Sequence, residues 1–257
     1  MVRRLRRQLV IQGLCFLAFF LRVVGLDLQS LWRDEVDAIR FANSHLPDLL
    51  QNFVTPGQNG PLYFLLLRPW LFVAGESEFA LRFLSLFFGV LAVPLVYRVA
   101  RRLFPSLPSV GLVSALLTAT APYLVWYGQE GKMYTLTLFL ALLSMDRCWA
   151  AWERGGWQRW LGYFVVTGLA LYVHLAAVLL IPAQAAAFLL LEKNLRALRW
   201  RPWLISLAAL LLPYLPLLTW QLPLLLQPAE TGFRFVPLHQ MLISMLEGYS
   251  LGIVAPV

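Results

Sequence analysis

The chain has 257 residues, of which 60% are hydrophobic and only 13% are charged. Together with a mean hydropathy of +0.69, this composition excludes an ordinary water-soluble domain and predicts an integral membrane protein. The formal net charge of +8 does not indicate nucleic acid as a partner, because the Lys and Arg residues occur in short clusters between apolar runs and not along one soluble face.

The first apolar run, Leu9–Leu26, follows a cluster of arginines at the N-terminus. It is long enough to span a bilayer as a helix and lacks a small-residue cleavage site, so we predict an uncleaved signal anchor. Arg22 is close enough to its end to extend its charge to the surface. Residues 27–59 are then polar and charged, which predicts a large external loop because charges in hydrocarbon are costly.

A short apolar run, Leu62–Ala74, follows Pro61 and contains Arg68. It is too short to cross a bilayer, so we predict an interfacial helix, and residues 27–75 become an external segment with interfacial helices. Within this segment, Ser30 is predicted to cap a helix that begins near Leu31.

The remaining apolar runs predict further spans. They cover Phe79–Tyr97, Leu107–Tyr127, Met133–Trp152, Trp160–Val173, Leu175–Leu191, Trp203–Leu222 and a last segment from about Leu238. Two of these spans turn on the outer side near His174. The fold class is therefore predicted as all-α, a polytopic helical membrane bundle, with residues 1–257 as one transmembrane domain that we expect to be truncated at its C-terminus.

Most of the 21 Lys and Arg residues fall at the N-terminus and in the loops that follow alternate spans. Because cytoplasmic loops carry an excess of these residues, the N-terminus is predicted to be cytoplasmic and the segment 27–75 extracytoplasmic. The predicted location is the inner (plasma) membrane, with multiple passes and any active site on the extracytoplasmic side.

Polar residues without a topological role collect in three outer segments, 32–37, 58–63 and 127–132. In a helix from Leu31, Asp34 and Asp37 share one face. Carboxylates beside an arginine at a membrane surface suit the activation of an acceptor hydroxyl or the binding of a divalent metal ion, and no other cofactor is predicted. The alternative is that these acids are solvated loop residues.

Several short motifs occur in an order that resembles the GT-C superfamily of polyprenyl-phosphate-sugar transferases, in particular its protein-mannosyltransferase-like and lipid A aminoarabinose-transferase-like members. The resemblance covers about residues 15 to 200. The matching residues are Trp32, Asp34 and Glu35; Pro61, Leu62 and Tyr63; Gly75, Ser77, Glu78, Leu81 and Arg82; Arg101 to Phe104; Gln129, Glu130, Met133 and Tyr134; and Tyr172 with His174. Many members have His-Pro-Pro where this chain has Asn59-Gly60-Pro61, so a role for that histidine does not carry over.

The resemblance implies a membrane glycosyltransferase of GT-C fold. Its donor is a polyprenyl-phosphate sugar, its acceptor is a lipid, a glycan or a protein, and membrane lipids surround it. Asp34 is implied as the general base of an inverting transfer, with Glu35 as a second catalytic carboxylate. The candidate substrate-binding residues are Glu130, Lys132, Arg82, His174 and Tyr63.

Several assignments stay open at the level of sequence. The phosphate-binding cation is one of Lys132, Arg82, Arg33 and Arg40, and Lys132 is favoured because it adjoins Glu130. Arg82 alternatively pairs with Glu78, one helical turn away, and His174 alternatively bonds a neighbouring loop. At the level of function, the alternatives are a polytopic transporter or lipid flippase, since charges within spans also line permeation routes, and a non-catalytic membrane subunit.

Overall fold

The computed structural model describes residues 2–52, 60–191, 200–226 and 236–252. Across these ranges the chain is helical and contains no strand, which confirms the all-α prediction. The helices are α1 (Val2–Val23), α2 (Arg33–Asn43), α3 (Leu46–Asn52), α4 (Leu62–Ala74), α5 (Glu78–Leu103), α6 (Pro108–Thr120), α7 (Pro122–Gly128), α8 (Tyr134–Arg154), α9 (Trp157–Val173), α10 (Leu180–Leu191), α11 (Trp200–Leu226) and α12 (Leu238–Leu251), with a short 3-10 helix at Leu175–Leu179 between α9 and α10.

The predicted run Leu107–Tyr127 is not one straight helix. It is broken at Ala121 into α6 and α7, whose axes differ by 55°. Pro122, the first residue of α7, has no backbone N–H and cannot continue the hydrogen bonding of α6. The expectation of a single span here is therefore corrected to a bent pair, in which α7 leaves the direction of α6.

Length and apolar composition single out α5 as a helix that can cross a membrane. Within the described ranges, the bent pair α6–α7 becomes a second such segment if the two halves count as one.

The bundle is organised around α5 and α8, which pack against each other, with α1 and α6 on one side and α9 on the other. Helices α2 and α4 lie across one end of this group. Tyr63 and Leu67 of α4 are buried there in one core cluster with Ala38 of α2, Met133 and Val173. The two short helices are thus fixed to the bundle through apolar contacts near one end of α5.

Opposite ends of α5 and α8 carry different chemistry. At their C-terminal ends, the buried Asp146 of α8 accepts ion pairs from Arg98 at 2.9 Å and Arg102 at 3.0 Å, both on α5. At their N-terminal ends lie Arg82 and the turn that joins α7 to α8. The basic residues predicted to be cytoplasmic and the predicted site residues therefore occupy opposite ends of the same two helices.

Arg22 of α1 does not extend to the surface as predicted from its position near the end of the first run. It is fully buried, and its guanidinium donates to the carbonyl oxygens of Thr118 at 3.0 Å and Ala119 at 2.9 Å. These carbonyls lie at the end of α6, and Pro122 offers no N–H to Thr118. Arg22 is therefore the cap of a broken helix, and that role keeps its charge inside the bundle.

Candidate active site

A buried ion pair between Glu35 and Arg82 forms the centre of the site. The Glu35 side chain is 1% exposed, and its two carboxylate oxygens accept from the Arg82 guanidinium at 2.9 and 2.7 Å. The same carboxylate accepts the backbone N–H of Gly131 at 2.7 Å. Burial alone would raise the pKa of Glu35, but the bonds from Arg82 and Gly131 outweigh it, so the pKa lies below its usual range.

Arg82 is committed to the protein itself. Besides its bonds to Glu35, it donates to the carbonyl oxygens of Leu26 and Gln29, each at 2.8 Å, and Ser30 at 3.3 Å. These contacts use all five of its N–H donors. Arg82 therefore pairs with Glu35 and not with Glu78, and it has no further N–H to donate.

The start of α2 differs from the prediction. The helix begins at Arg33 with Trp32 as its N-terminal flanking residue, and not near Leu31. Ser30 does not cap it, because its carbonyl is held by Arg82 and the Trp32 N–H is bonded to the Glu35 carboxylate at 3.4 Å. This arrangement turns Glu35 into the bundle and leaves Asp34 half-buried at its edge.

The turn between α7 and α8 brings a cation to Asp34. Lys132 Nζ lies 3.4 Å from Asp34 Oδ2 and 5.7 Å from the centre of the Trp32 ring. The turn is held in two places, at the Gly131 N–H by Glu35 and at the Lys132 carbonyl, which accepts from Ser85 Oγ at 2.8 Å. An acid and a cation from distant parts of the chain thus meet in a fixed geometry.

Glu130 directly precedes Gly131 in this turn. Its Oε1 accepts the indole N–H of Trp126 at 2.7 Å. Burial raises the pKa of Glu130, and the neighbouring charge of Glu35 adds to this effect despite the bond from Trp126. Glu130 therefore holds a proton more readily than an exposed glutamate, which suits a group that exchanges hydrogen bonds with a polar ligand.

An open cavity of about 470 Å³ adjoins these residues. Its wall combines apolar side chains, two indoles and polar groups: Val24, Gly25, Leu26, Leu28, Gln29, Ser30, Trp32, Glu35, Arg82, Trp126, Gln129 and Glu130. A concave space with few polar groups among apolar ones is the usual form of a ligand site. Three predicted site residues, Glu35, Arg82 and Glu130, line the cavity. Asp34 and Lys132, which form the ion pair, are close neighbours of these lining residues in the sequence.

Tyr63 and His174 lie outside the cavity wall. Tyr63 is a residue of α4 and is fully buried in the core between α4 and α2. His174 ends α9, and its Nδ1 accepts the Ala176 N–H at 3.1 Å, so it caps the short 3-10 helix. Burial holds the pKa of His174 below its usual range, which keeps Nδ1 free to accept. The structure thus gives His174 a structural hydrogen bond to the segment that follows it, which favours the alternative role over substrate binding.

Gly60 is pressed against the turn before His174. A Cβ added at this position would overlap the carbonyl oxygen of Tyr172, so only glycine fits. The 58–63 segment predicted to face the other polar segments is therefore packed against the end of α9 at Gly60. Gln58 and Asn59 lie outside the described residues, as does the basic loop that contains Lys193, Arg196 and Arg199.

Glu35 and Asp34 do not fit a protein-held divalent metal ion. Glu35 is saturated by N–H donors and Asp34 is paired with Lys132. Within the described part of the chain, no three His, Cys, Asp or Glu side chains converge on one point. These side chains are therefore assigned to hydrogen bonds and ion pairs and not to metal ligation.

Sequence reasoning missed several contributors to the site. Gln129 donates to the carbonyl oxygens of Arg22 at 3.3 Å and Val24 at 2.9 Å, which ties the turn to the end of α1. Trp126 and Trp32 form part of the cavity wall. Gln129 was visible as part of a motif, but nothing in the sequence indicated its partners, since they lie more than 100 residues earlier in the chain.

The site thus gathers Glu35, Arg82 and Glu130 at one open cavity, with the Asp34–Lys132 ion pair as a neighbour. The profile of the dolichyl-phosphate-mannose-protein mannosyltransferase family matches residues 58–220, more than half of the chain, and the chain belongs to this family. The family is of the GT-C type, which confirms the resemblance predicted from the motifs. Its proteins are membrane glycosyltransferases.

The matched range contains Arg82, Glu130, Lys132 and His174, whereas Asp34 and Glu35 precede it. No curated protein and no solved structure matches the chain.

Proposed function

We propose that the chain is a polytopic membrane glycosyltransferase that moves a sugar from a polyprenyl-phosphate-linked donor to an acceptor hydroxyl on the extracytoplasmic side. The observation that carries this proposal is the Asp34–Lys132 ion pair, 3.4 Å long, beside the cavity. Transfer from a phosphate ester needs a base for the acceptor and a cation for the leaving group, and these two side chains supply both.

The arrangement of charges supports the proposed orientation. Helix α5 has 26 residues and is about 39 Å long at the α-helical rise, enough to cross a bilayer. Arg98 and Arg102 lie at one end of it and the site at the other. With the basic end in the cytoplasm, as the positive-inside rule requires, the site faces outward. Residues 1–257 then form one transmembrane domain with residues 27–75 as its external segment.

The proposed reaction is a single displacement. The acceptor oxygen attacks the anomeric carbon while Asp34 takes the proton of the acceptor hydroxyl. The bond between the anomeric carbon and the phosphate oxygen breaks, its electron pair stays on the phosphate, and the configuration at the sugar inverts. Asp34 serves as the base because it is half-buried and only its Oδ2 is paired with Lys132, whereas both oxygens of Glu35 are already occupied.

The other site residues bind and position. Lys132 supplies the point charge for the departing phosphate, worth on the order of 4 kcal/mol at 4 Å and an effective dielectric of about 20. Glu35 holds the turn that carries Lys132, so we assign it positioning and not direct chemistry. Glu130 and Gln129 face the cavity and provide hydrogen bonds for sugar hydroxyls.

The test is transfer of radiolabelled sugar from a panel of polyprenyl-phosphate sugars, mannose included, to total membrane acceptors. Vesicles with the chain are compared with empty vesicles and with the Asp34→Asn variant, which keeps the shape of the side chain and removes the base. Asp48→Asn makes the same charge change in the first turn of α3 and serves as the matched control.

Label incorporated by the unaltered chain and by Asp48→Asn, but not by Asp34→Asn, is the expected result. Equal incorporation with Asp34→Asn would remove Asp34 as the base. Absence of incorporation from every donor, by chains shown to be folded and inserted, would favour the transporter or the non-catalytic subunit instead.

A further inference from the structure

Four tyrosines form a continuous row beside the site. In spatial order the row consists of Tyr249, Tyr123, Tyr127 and Tyr134, and each neighbouring pair of ring centres is 4.7 Å apart. The rings come from three different helices, α12, α7 and α8. These separations are typical of aromatic contacts, so the row is a packed assembly and not a chance scatter of rings.

One end of the tyrosine row adjoins the turn that carries Glu130 and Lys132. Tyr134 is the first residue of α8 and follows Lys132, which pairs with Asp34 at 3.4 Å, by two positions. Trp126, on the same short helix as Tyr127, donates its indole N–H to Glu130. The row therefore starts where the acceptor hydroxyl must be placed and leads away from it along α7.

The other end is held by α12. A Cβ added at Gly248 would come to 3.2 Å from the Tyr123 ring, and one added at Gly252 to 3.2 Å from the Pro122 side chain. Two glycines four residues apart thus let α12 approach α7 closely, as small residues do between packed helices. This contact stacks Tyr249 on Tyr123 at an interplanar angle of 24°. Tyr249 lies beyond the range that matches the family.

The chemistry of the row favours sugars over a lipid tail. Aromatic ring faces are electron-rich and attract the C–H groups of a pyranose ring, while tyrosine hydroxyls exchange hydrogen bonds with sugar hydroxyls. The row is open at both ends, because Tyr134 is 37% exposed and Tyr249 is 42% exposed, and the adjacent Trp126 is 43% exposed. An isoprenoid tail has no hydrogen-bonding group for the hydroxyls.

We propose that the tyrosine row is an acceptor subsite that binds successive sugar rings of a saccharide acceptor and directs its terminal hydroxyl toward Asp34. This inference rests on the proposed glycosyltransferase function and names its acceptor class. In it, Tyr249 binds the sugar ring farthest from the reaction, so it contributes to the choice of acceptor and does not touch the reacting atoms.

Binding is tested first without any donor, so that the result does not depend on turnover. The full chain in lipid nanodiscs is mixed with mannotetraose or cellotetraose, and saturation-transfer NMR records magnetisation passed from aromatic protons to sugar ring protons. Transfer is expected with at least one of the two tetrasaccharides. It is expected to fall in Tyr249→Ala, to persist in Tyr249→Phe, which keeps the ring, and to persist in Phe72→Ala, which removes a 91% exposed ring on another face.

The kinetic test uses the donor identified by the vesicle assay and the same tetrasaccharides as acceptors. Tyr249→Ala is expected to raise the acceptor KM about tenfold, corresponding to the loss of one aromatic contact, with Phe72→Ala as the reference. Absence of saturation transfer to both tetrasaccharides, or the same acceptor KM in Tyr249→Ala and Phe72→Ala, would overturn the subsite. A raised donor KM in its place would assign the row to the lipid tail.

Failure of the two proposals is distinguishable. Saturation transfer without any sugar transfer would leave the tyrosine row as a saccharide site and remove the transferase. Sugar transfer to other acceptors without saturation transfer would leave the transferase standing and remove the tyrosine row as a saccharide site.

Discussion

Lys132 Nζ lies 3.4 Å from Asp34 Oδ2, although the two residues belong to helices and turns far apart in the chain. The ion pair depends on Glu35, which holds the turn at Gly131, and on Arg82, which neutralises Glu35 in the interior. A fully buried ion pair thus positions a partly buried one, so mutations can affect the two pairs separately.

Lys132→Met is expected to lower kcat/KM for the donor by about 100-fold or more, because the departing phosphate loses its point charge in a partly dehydrated site. Lys132→Arg, which keeps the charge, is expected to retain more activity. Steady-state transfer in nanodiscs measures both. Arg154→Met, an exposed substitution at the opposite end of α8, is the control, and an equal loss there would show that the effect is not local.

Glu35→Gln is expected to destabilise the fold by about 3 kcal/mol, since it leaves the Arg82 charge buried without its partner. Thermal unfolding in detergent or nanodiscs gives the shift. Glu153→Gln breaks an ion pair with Arg102 in which the glutamate is 43% exposed, and it should change stability by well under 1 kcal/mol. Similar shifts for the two variants would contradict a special role for the buried pair.

The same pair predicts a pH dependence. Because the pKa of Glu35 is lower in the folded state than in the unfolded chain, its contribution is present above the ordinary glutamate range and is lost as the pH falls through the folded-state value. The unaltered chain should therefore lose stability on acidification more steeply than Glu35→Gln. Parallel curves of unfolding midpoint against pH would rule this out.

Arg22→Leu is expected to destabilise the bundle by about 3 kcal/mol, because the carbonyls of Thr118 and Ala119 lose their donor inside the protein. In a Pro122→Ala background the loss should be smaller by at least about 1 kcal/mol, since the substituted residue brings back an N–H for Thr118. The double-mutant cycle measures this coupling. Strict additivity would mean that Arg22 does not serve the break, and Arg6→Leu, exposed on the same helix, is the reference.

Gly60→Ala is expected to destabilise by about 1–3 kcal/mol through overlap with the Tyr172 carbonyl. Gly162→Ala is the matched control, because Gly162 lies inside α9 and an added Cβ there meets nothing within 4 Å. It should stabilise by up to about 1 kcal/mol. Unfolding midpoints of the two variants compare them directly, and a neutral Gly60→Ala would show that the two segments can separate.

The helices themselves were predictable because apolar runs and their flanking residues determine them. The run Leu62–Ala74 was predicted with the bounds that α4 has, since Pro61 precedes it and Gly75 follows it. The break at Ala121 was missed because the apolar run continues through Pro122, and hydropathy does not register a missing N–H. Topology of the loops across a membrane stays a prediction.

The site was predictable as a set of segments but not as a set of partners. The motif residues Asp34, Glu130 and Lys132 do come to one end of the bundle. The pairing of Arg82 with Glu35 was missed because local helical spacing favoured Glu78, and a buried carboxylate from a distant part of the chain outweighs a partly exposed neighbour one turn away. Arg22 was misplaced for the same reason, since its partners lie about 100 residues further along the chain.

The cap that Arg22 provides has a consequence for how related sequences diverge. A proline at position 122 without an arginine at position 22 leaves carbonyls unsatisfied, and an arginine at position 22 without the proline buries a charge with less to bond. Loss of either residue alone is expected to be destabilising, so positions 22 and 122 should vary together across homologues. A correlated pair this far apart would also identify, from sequence alone, which members of the family share the bent helix.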